Sequence, residues 1–188
     1  MIRTFIAVDL PEEVRQELAT LQADFKKEVA DIKWVEPDNL HLTLKFLGDV
    51  EEGQIEALKQ SLTETVRGSS PFSIHLEGIG AFPRTTSPRV IWVGVSEGKE
   101  QLIKLAGAID EACIPFTLSP SKGERPFSPH LTIGRVRSRD GLDRLIKKLQ
   151  VVEFRASTPA PIDRLILYQS TLSPKGPTYT PLVEFPLG

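Results

Sequence analysis

The stretch HLTLKFLG at residues 41–48 has a counterpart later in the chain, HLTIGR at residues 130–135. Two of the chain's three histidines therefore open the same phrase, in which a leucine, a threonine and an apolar residue follow. Because side chains alternate between the two faces of a β-strand, His41 and Thr43 are predicted to share one face, with the leucines beside them on the other. The pattern indicates two strands that are anchored in a core and that each present an imidazole next to a hydroxyl group.

The same alternation predicts the faces of the other residues in the two strands, and the residues after the third histidine predict its surroundings. It places Lys45 on the face of the first imidazole and Phe46 on the opposite face, which packs into the core. In the second strand, His130 and Thr132 face one way. The third histidine, His75, is followed by leucine and glutamate and is predicted to lie on an ordinary solvated face.

Hydrophobic periodicity and turn residues predict alternating strands and helices along the chain. The predicted strands cover residues 2–9, 31–36, 40–47, 72–81, 89–96, 130–136, 151–156 and 162–169. The predicted helices cover residues 11–30, 52–66, 98–113 and 140–149. We expect the strands at 31–36 and 40–47 to pair around the sequence Pro-Asp-Asn between them, and we expect the late segment SPKGPTYTPL to be rich in turns.

Intervals between matching positions indicate an internal repeat. The interval from Val8 to His41 is 33 residues, and that from Val95 to His130 is 35. In each case a strand and a helix precede the histidine strand, and a helix and a further strand follow it. Two similar halves that each contribute one histidine phrase explain this order.

The composition is that of a globular protein without a strong electrostatic preference. The chain has 188 residues, 40% of them hydrophobic and 26% charged, with a formal net charge of −2, and it is long enough to bury a sizeable core. The single cysteine, Cys113, excludes an internal disulfide, and a lone thiol fits a reducing compartment. We expect this cysteine to be buried and inert. No apolar run approaches the roughly 18 residues that span a bilayer, and the first strand is followed too soon by acidic residues for a signal peptide. We expect a cytoplasmic protein with no membrane partner, and nothing requires more than a monomer.

The two histidines suit proton transfer. Imidazole titrates near neutral pH, so one histidine can act as a base while the other acts as an acid. The hydroxyls of Thr43 and Thr132 can donate hydrogen bonds to an anionic oxygen, and Arg135 adds a planar cation that suits phosphate. No cysteine or carboxylate stands beside either histidine, so a metal site is poorly supported. These groups fit metal-free phosphodiester chemistry, and spacing alone does not assign the acid and the base.

The two phrases resemble the paired HxTx motifs of the 2H phosphoesterase superfamily. Further segments narrow the resemblance: FIAVDLP, HLTLKFLG, GIGAFPR, PRVIWVGV, PHLTIGR and YQSTLSPKGPTY. Together they are similar to the bacterial and archaeal RNA 2′,3′-cyclic phosphodiesterases, historically called 2′-5′ RNA ligases, and the similarity runs from end to end. It implies an α+β fold of two pseudo-symmetric lobes, with antiparallel sheets lining a central cleft and helices packed outside, as a single domain over residues 1–188.

The resemblance also implies an activity and roles for individual residues. The reaction would be metal-independent hydrolysis of a terminal 2′,3′-cyclic phosphate on RNA, tRNA fragments included, to a 2′-phosphate, without a cofactor. By position, His41 would be the proton donor to the departing O3′ and His130 the proton acceptor that activates water. Thr43 and Thr132 would bind the non-bridging phosphate oxygens, assisted by Arg135.

An RNA substrate needs cations for its backbone and rings on which its bases can stack. The segment 119–139 has a local net charge of +4, which is either a solvated loop or an RNA contact, with five cations against Glu124: Lys122, Arg125, Arg135, Arg137 and Arg139. Candidate stacking residues are Trp34, Phe82, Phe127, Tyr168 and Tyr179. Ser170 and Lys175, in the family-like tail, are weaker candidates for ligand contact.

Several alternatives stay open at this level. A 2′-5′ RNA ligase would run a reverse-type reaction at the same site, and a phosphodiesterase of 2′-5′ oligonucleotides or small cyclic nucleotides would use the same groups. A non-catalytic RNA-binding module belongs to a different class, but binding alone does not require two proton-transfer groups. A metal-dependent phosphodiesterase would lose activity when a chelator is added.

Overall fold

Two four-stranded antiparallel sheets, with helices on their outer faces, form the frame of the protein. A computed structural model of the chain describes residues 1–117, 126–174 and 176–188. Within these residues the strands are β1 (Ile2–Val8), β2 (Ile32–Trp34), β3 (Leu42–Val50), β4 (Phe72–Ile74), β5 (Leu76–Arg84), β6 (Ser87–Val95), β7 (His130–Val136), β8 (Ala160–Ile162), β9 (Arg164–Ser173) and β10 (Gly176–Pro186). The helices are α1 (Glu12–Lys26), α2 (Ile55–Val66), α3 (Lys99–Cys113) and α4 (Leu142–Val151).

The order of the strands confirms the two pseudo-symmetric lobes and shows that the halves of the chain exchange strands. Sheet A has the order β10-β9-β1-β3 and sheet B the order β2-β7-β6-β5, with β4 and β8 forming a separate pair. The first half runs β1-α1-β3-α2-β5 and the second β6-α3-β7-α4-β9, but β5 pairs with β6 and β9 pairs with β1. Each lobe therefore contains strands from both halves of the chain.

The helices bury the apolar faces that their periodicity predicts, and together with the sheets they enclose a continuous core. In α1 the buried residues recur at three- and four-residue steps, as Val14, Leu18, Leu21 and Phe25. The same helix is tied to sheet B by the buried amide of Gln22, which donates hydrogen bonds to the carbonyl oxygens of Val35 and Ile133 at 2.8 and 2.9 Å. Because a buried amide is costly unless it is paired, these two bonds fix where α1 lies on the sheet.

Three predicted elements differ from the structure. The strands at 31–36 and 40–47 do not pair with each other, because β2 joins β7 in sheet B whereas β3 joins β1 in sheet A. Residues 151–156 form no strand: α4 continues to Val151, and only an isolated bridge joins Arg155 to Glu77. The segment expected to be rich in turns is largely β10, which pairs along the length of β9.

The third histidine and the cysteine lie inside the protein. His75 is 8% exposed, and its Nε2 lies 2.6 Å from the carbonyl oxygen of Ala156. The prediction of a solvated His75 is therefore wrong, because the segment before β8 covers the start of β5. Cys113 is buried as expected, and burial raises the pKa of its thiol to about 12, which leaves it protonated and inert.

Among the described residues, no helix is both long and apolar enough to cross a membrane.

Candidate active site

A cleft of about 700 Å³ lies between the two sheets and brings together all the residues predicted for the site. Sheet A contributes His41, which directly precedes β3, and Thr43 within that strand. Sheet B contributes His130, Thr132 and Arg135 from β7. Each pair of imidazole and hydroxyl thus comes from one of the two lobes.

A β-bulge in each histidine strand determines which side chains enter the cleft. In β3, Ala7 pairs with Thr43 and Ile6 with Lys45, so one extra residue, Leu44, interrupts the alternation. Because a one-residue shift moves the following side chains to the other face, Phe46 points into the cleft. The prediction that Lys45 shares the face of His41 and that Phe46 is core is therefore wrong.

The displaced lysine pairs with a helix, while the phenylalanine is open to the cleft. Nζ of Lys45 lies 2.5 Å from Oδ1 of Asp110 on α3, on the outer side of sheet A. Phe46 lines the cleft with 50% of its surface exposed, and the guanidinium of Arg3 lies 4.7 Å from the centre of its ring. Phe46 and Arg3 together form a cation–π pair that leaves an aromatic surface accessible.

The second strand repeats the bulge at the matching position. In β7, Thr132 pairs with Trp92 and Gly134 with Ile91, so Ile133 is the extra residue. Arg135 consequently lies on the cleft face with the imidazole, where simple alternation would have placed it on the opposite face. Arg135 and Phe46 each stand five residues after their histidine, so the two lobes fill equivalent places with a cation and with an aromatic ring.

Both imidazoles are held through Nδ1. Nδ1 of His41 lies 2.7 Å from the carbonyl oxygen of Asn39, and Nδ1 of His130 lies 2.7 Å from that of Ser128. A carbonyl oxygen can only accept a hydrogen bond, so Nδ1 carries the proton in the neutral ring and Nε2 is left as the basic nitrogen. At His41 this nitrogen lies 3.0 Å from Oγ1 of Thr43, whose hydroxyl can donate to it.

Aromatic rings support each histidine from the neighbouring strands. Phe5 on β1 is stacked on His41 with ring centres 4.9 Å apart, and Tyr168 on β9 is stacked on Phe5 at 5.2 Å and lies 6.3 Å from the imidazole. In sheet B, Phe82 on β5 meets His130 edge-on at 4.9 Å and contacts Trp92 on β6 at 5.3 Å. Packed rings restrict the rotamers of both imidazoles and so keep each Nε2 in place.

Burial makes His41 less basic than an exposed histidine. It lowers the pKa of His41, and this effect outweighs the hydrogen bond to Asn39 and the charge of Asp9, which both favour the protonated ring. Asp9 accepts a hydrogen bond of 2.8 Å from the hydroxyl of Tyr168 and so belongs to the support behind the histidine. Burial also raises the pKa of Tyr179, whose ring meets His41 edge-on at 5.2 Å, so this tyrosine remains a neutral hydroxyl.

The cleft is cationic although the chain as a whole is slightly acidic. Among the described residues, five cations line it against one carboxylate, Glu36; the cations are Arg3, Lys26, Lys33, Arg135 and Arg137. Of the basic segment 119–139, Arg135 and Arg137 line the cleft and Arg139 does not, while 118–125, which include Lys122, Glu124 and Arg125, lie outside the described residues.

The predicted stacking and contact residues divide between cleft and core. Trp34, Tyr179 and Ser170 line the cleft, whereas Tyr168 and Phe82 stand behind the histidines and Phe127 packs against the core. Lys175 lies outside the described residues. The sequence analysis missed Arg3, Phe5, Lys33 and Asn39, and only the family-like segment around Phe5 contained a signal for one of them.

No group of three histidine, cysteine or carboxylate side chains with an arrangement suited to a metal ion occurs within residues 1–117, 126–174 and 176–188.

Comparisons with known proteins identify the family to which the chain belongs. The family model described as LigT like Phosphoesterase matches the chain twice, over residues 8–92 and 93–179. The RNA 2′,3′-cyclic phosphodiesterase of Methanothermobacter thermautotrophicus is 40% identical over 189 residues, covering 99% of each protein. That of Thermotoga maritima is 38% identical over 183 residues, covering 97% of this chain and 94% of the relative.

Solved structures show the same fold. The protein TT0787 of Thermus thermophilus aligns with a TM-score of 0.80 at 30% identity, covering 99% of this chain and 98% of that one. E. coli LigT complexed with 3′-AMP aligns with a TM-score of 0.79 at 28% identity and the same coverage. The two family matches, one for each half, and the full-length relatives show that the chain belongs to the LigT-like phosphoesterase family.

Proposed function

We propose that this protein is an RNA 2′,3′-cyclic phosphodiesterase that opens a terminal cyclic phosphate to a 2′-phosphomonoester. The observation that supports this most directly is the pair of imidazoles, one from each lobe, each with Nδ1 bonded to a carbonyl oxygen and Nε2 left basic. Two such groups in one cleft with hydroxyl and guanidinium donors suit acid–base cleavage of a phosphodiester. The names of the two relatives described above support the same activity and RNA as the substrate.

In the proposed mechanism the two histidines have opposite roles. Nε2 of His130 takes a proton from a water molecule as its oxygen forms a bond to phosphorus. The bond from phosphorus to O3′ breaks, and protonated His41 gives its proton to O3′, which leaves a free 3′-hydroxyl and a 2′-phosphate. Thr43 and Thr132 donate hydrogen bonds to the non-bridging oxygens, where negative charge increases in the transition state.

Arg135 and Phe46 complete the proposed site. The guanidinium, brought to the cleft face by the bulge at Ile133, can bind a phosphate oxygen beside Thr132. The exposed ring of Phe46, backed by Arg3, offers a surface on which the terminal base can stack.

The pKa of His41 leads to a prediction for the pH dependence. Only protonated His41 can donate, and in the free protein the fraction of protonated ring is expected to fall above a pH that lies below the ordinary histidine value of 6.5. In a complex with a phosphate ester this fall is expected at higher pH, because the bound anion favours the imidazolium. NMR titration of the His41 ring, assigned with His41→Ala and recorded with and without a nucleoside 2′-phosphate, tests this; a ring of the free protein that stays protonated above about pH 7 would contradict the effect of burial.

The activity itself is tested with a short RNA that ends in a 2′,3′-cyclic phosphate, incubated with the protein in EDTA. We expect a product with the mass of one added water, whose phosphate is identified as 2′ by its resistance to a 3′-specific phosphatase. Loss of activity in EDTA would contradict the metal-free mechanism. An unchanged RNA that still binds tightly would instead favour a binding module, and joined ends would favour a ligase.

Three further properties belong to the same proposal. Residues 1–188 form one domain of two similar lobes, because each sheet takes strands from both halves. The protein acts as a monomer in a reducing, cytoplasmic setting, for which the buried, unpaired Cys113 is the supporting observation. Its substrates include tRNA fragments with cyclic-phosphate ends, a proposal that the cationic lining of the cleft among the described residues supports.

A further inference from the structure

The two walls of the cleft differ in chemistry. Sheet A presents Arg3 and otherwise mainly rings and apolar side chains: Phe5, Phe46, Leu172, Pro177 and Tyr179. The facing wall, formed by β2, β7 and the end of α1, includes Trp34 and the carboxylate of Glu36 and presents four cations: Lys26, Lys33, Arg135 and Arg137. A single-stranded nucleic acid has the same division, with bases along one side and phosphates along the other.

The cations of this wall are not neutralised by the protein. None of the four has a carboxylate of the described residues within ion-pairing distance, although other lysines and arginines of the chain do, such as Lys148 with Asp24 at 2.6 Å. Lys33 on β2 is paired in register with Arg135 on β7, so that two like charges are direct cross-strand neighbours. Such a pair destabilises a sheet unless an anion lies beside it.

In the described part of the chain, the strand that supplies Lys33, β2, has no counterpart in sheet A, just as β10 has none in sheet B. β3 is the edge strand of sheet A, whereas β7 in sheet B has β2 as an additional neighbour. Nζ of Lys33 extends towards the first residue of β10, 3.6 Å from the position that a Cβ on Gly176 would take. Lys33 on β2 therefore extends the positively charged surface from Arg135, beside the two histidines, towards sheet A on the other side of the cleft.

We propose that this wall binds the backbone phosphates of the nucleotides that precede the cyclic end, so that the preferred substrate is an oligonucleotide or longer RNA rather than a mononucleotide. Lys33, Arg137 and Lys26 bind the upstream phosphates, and the exposed rings of sheet A face the upstream bases. This inference rests on the proposed function, because the terminal phosphate must lie between the two histidines to set the position of the others.

The test compares a nucleoside 2′,3′-cyclic monophosphate with RNAs of two, three and four nucleotides that end in the same cyclic nucleotide. We expect kcat/KM to rise with length, and we expect Lys33→Gln/Arg137→Gln to lower the ratio of the tetranucleotide value to the mononucleotide value by about tenfold. Lys104→Gln, at an exposed position of α3 away from the cleft, is the matched control and should leave the ratio unchanged. Equal kcat/KM values for all lengths, or an unchanged ratio in the double variant, would overturn the inference.

A binding measurement separates this inference from the proposed activity. Fluorescence anisotropy of labelled RNAs of the same lengths that already end in a 2′-phosphate does not depend on turnover. We expect the slope of log affinity against log salt to decrease by about 0.7 for each phosphate contact that the double variant removes. If the slope decreases in this way while no RNA is hydrolysed, the inference about the cationic wall is supported and the hydrolase proposal fails. If RNA is hydrolysed but the salt slope is equal in wild type and variant, the hydrolase proposal is supported and the inference about the wall fails.

Discussion

His130→Ala is expected to lower kcat for cyclic-phosphate hydrolysis by about 10²–10⁴-fold, the usual contribution of a positioned acid or base. His41→Ala is expected to cause a loss of the same size, because each substitution removes one of the two proton transfers.

The effects of the two substitutions on stability should differ. His130 meets rings only edge-on, and its loss should change the free energy of unfolding by less than about 1 kcal/mol. His41 is packed between Phe5 and Tyr179, so its loss should cost about 1–2 kcal/mol.

The third histidine provides the matched control for this experiment. His75→Ala removes a buried hydrogen bond to the carbonyl of Ala156 and should lower the melting temperature without a large change in kcat. The double variant His41→Ala/His130→Ala should be about as slow as either single variant, because the two groups act in one step. The single-turnover rate of each of the four variants is measured in EDTA and compared with that of the wild type. Retention of more than about a tenth of the wild-type rate by either cleft variant would rule out the paired mechanism.

Gly80→Ala is expected to destabilise the protein by about 1–3 kcal/mol and to lower kcat although Gly80 lies outside the cleft lining. Gly80 on β5 is paired in register with Trp92, and a Cβ at this position would come within 2.7 Å of three atoms of the indole ring. The ring has to move, and it contacts both Phe82 and His130. The imidazole should consequently lose part of its fixed orientation, which acid–base catalysis requires.

Thermal unfolding and kcat, measured together, test this effect. For a chain of this size the melting temperature should fall by about 2–4 °C for each kcal/mol. Gly107→Ala in α3 is the control, because a Cβ there meets nothing within 4 Å and alanine favours a helix. Adding Trp92→Phe to Gly80→Ala should restore part of both losses by making the ring smaller. An unchanged melting temperature in Gly80→Ala would show that the ring moves freely.

The repeated histidine phrase predicts two strands with matched chemistry, the family resemblance implies a cleft between them, and the structure brings all five proposed site residues into one cleft. Strict alternation along the strands failed where each strand has a bulge. A bulge depends on the register with the partner strand, and nothing local in HLTLKF separates it from a regular strand. Alternation therefore assigns Lys45 and Phe46 to the wrong faces, while Arg135 is proposed for the phosphate from its charge and its position close after His130, although alternation alone does not bring it to the cleft face.

The partners of strands that pair over long sequence distances were the other feature that the sequence did not predict. The turn residues between β2 and β3 favoured a hairpin, but each of these strands joins a sheet with partners far along the chain. Pairing of this kind depends on the packing of the whole protein and not on the local sequence. The charges of Lys33 and Arg3 were visible from the start, but their presence in the cleft depends on that pairing.

The exchange of strands between the halves also governs when the protein can become active during its synthesis. Thr4 pairs with Gln169, so sheet A cannot close before β9 has left the ribosome. Until then β1 has an unpaired edge, which can pair with a wrong strand, and the rings that β9 and β10 place beside His41, Tyr168 and Tyr179, are missing. A chain interrupted before β9 therefore contains both histidine phrases but lacks part of the cleft and of the rings that hold His41.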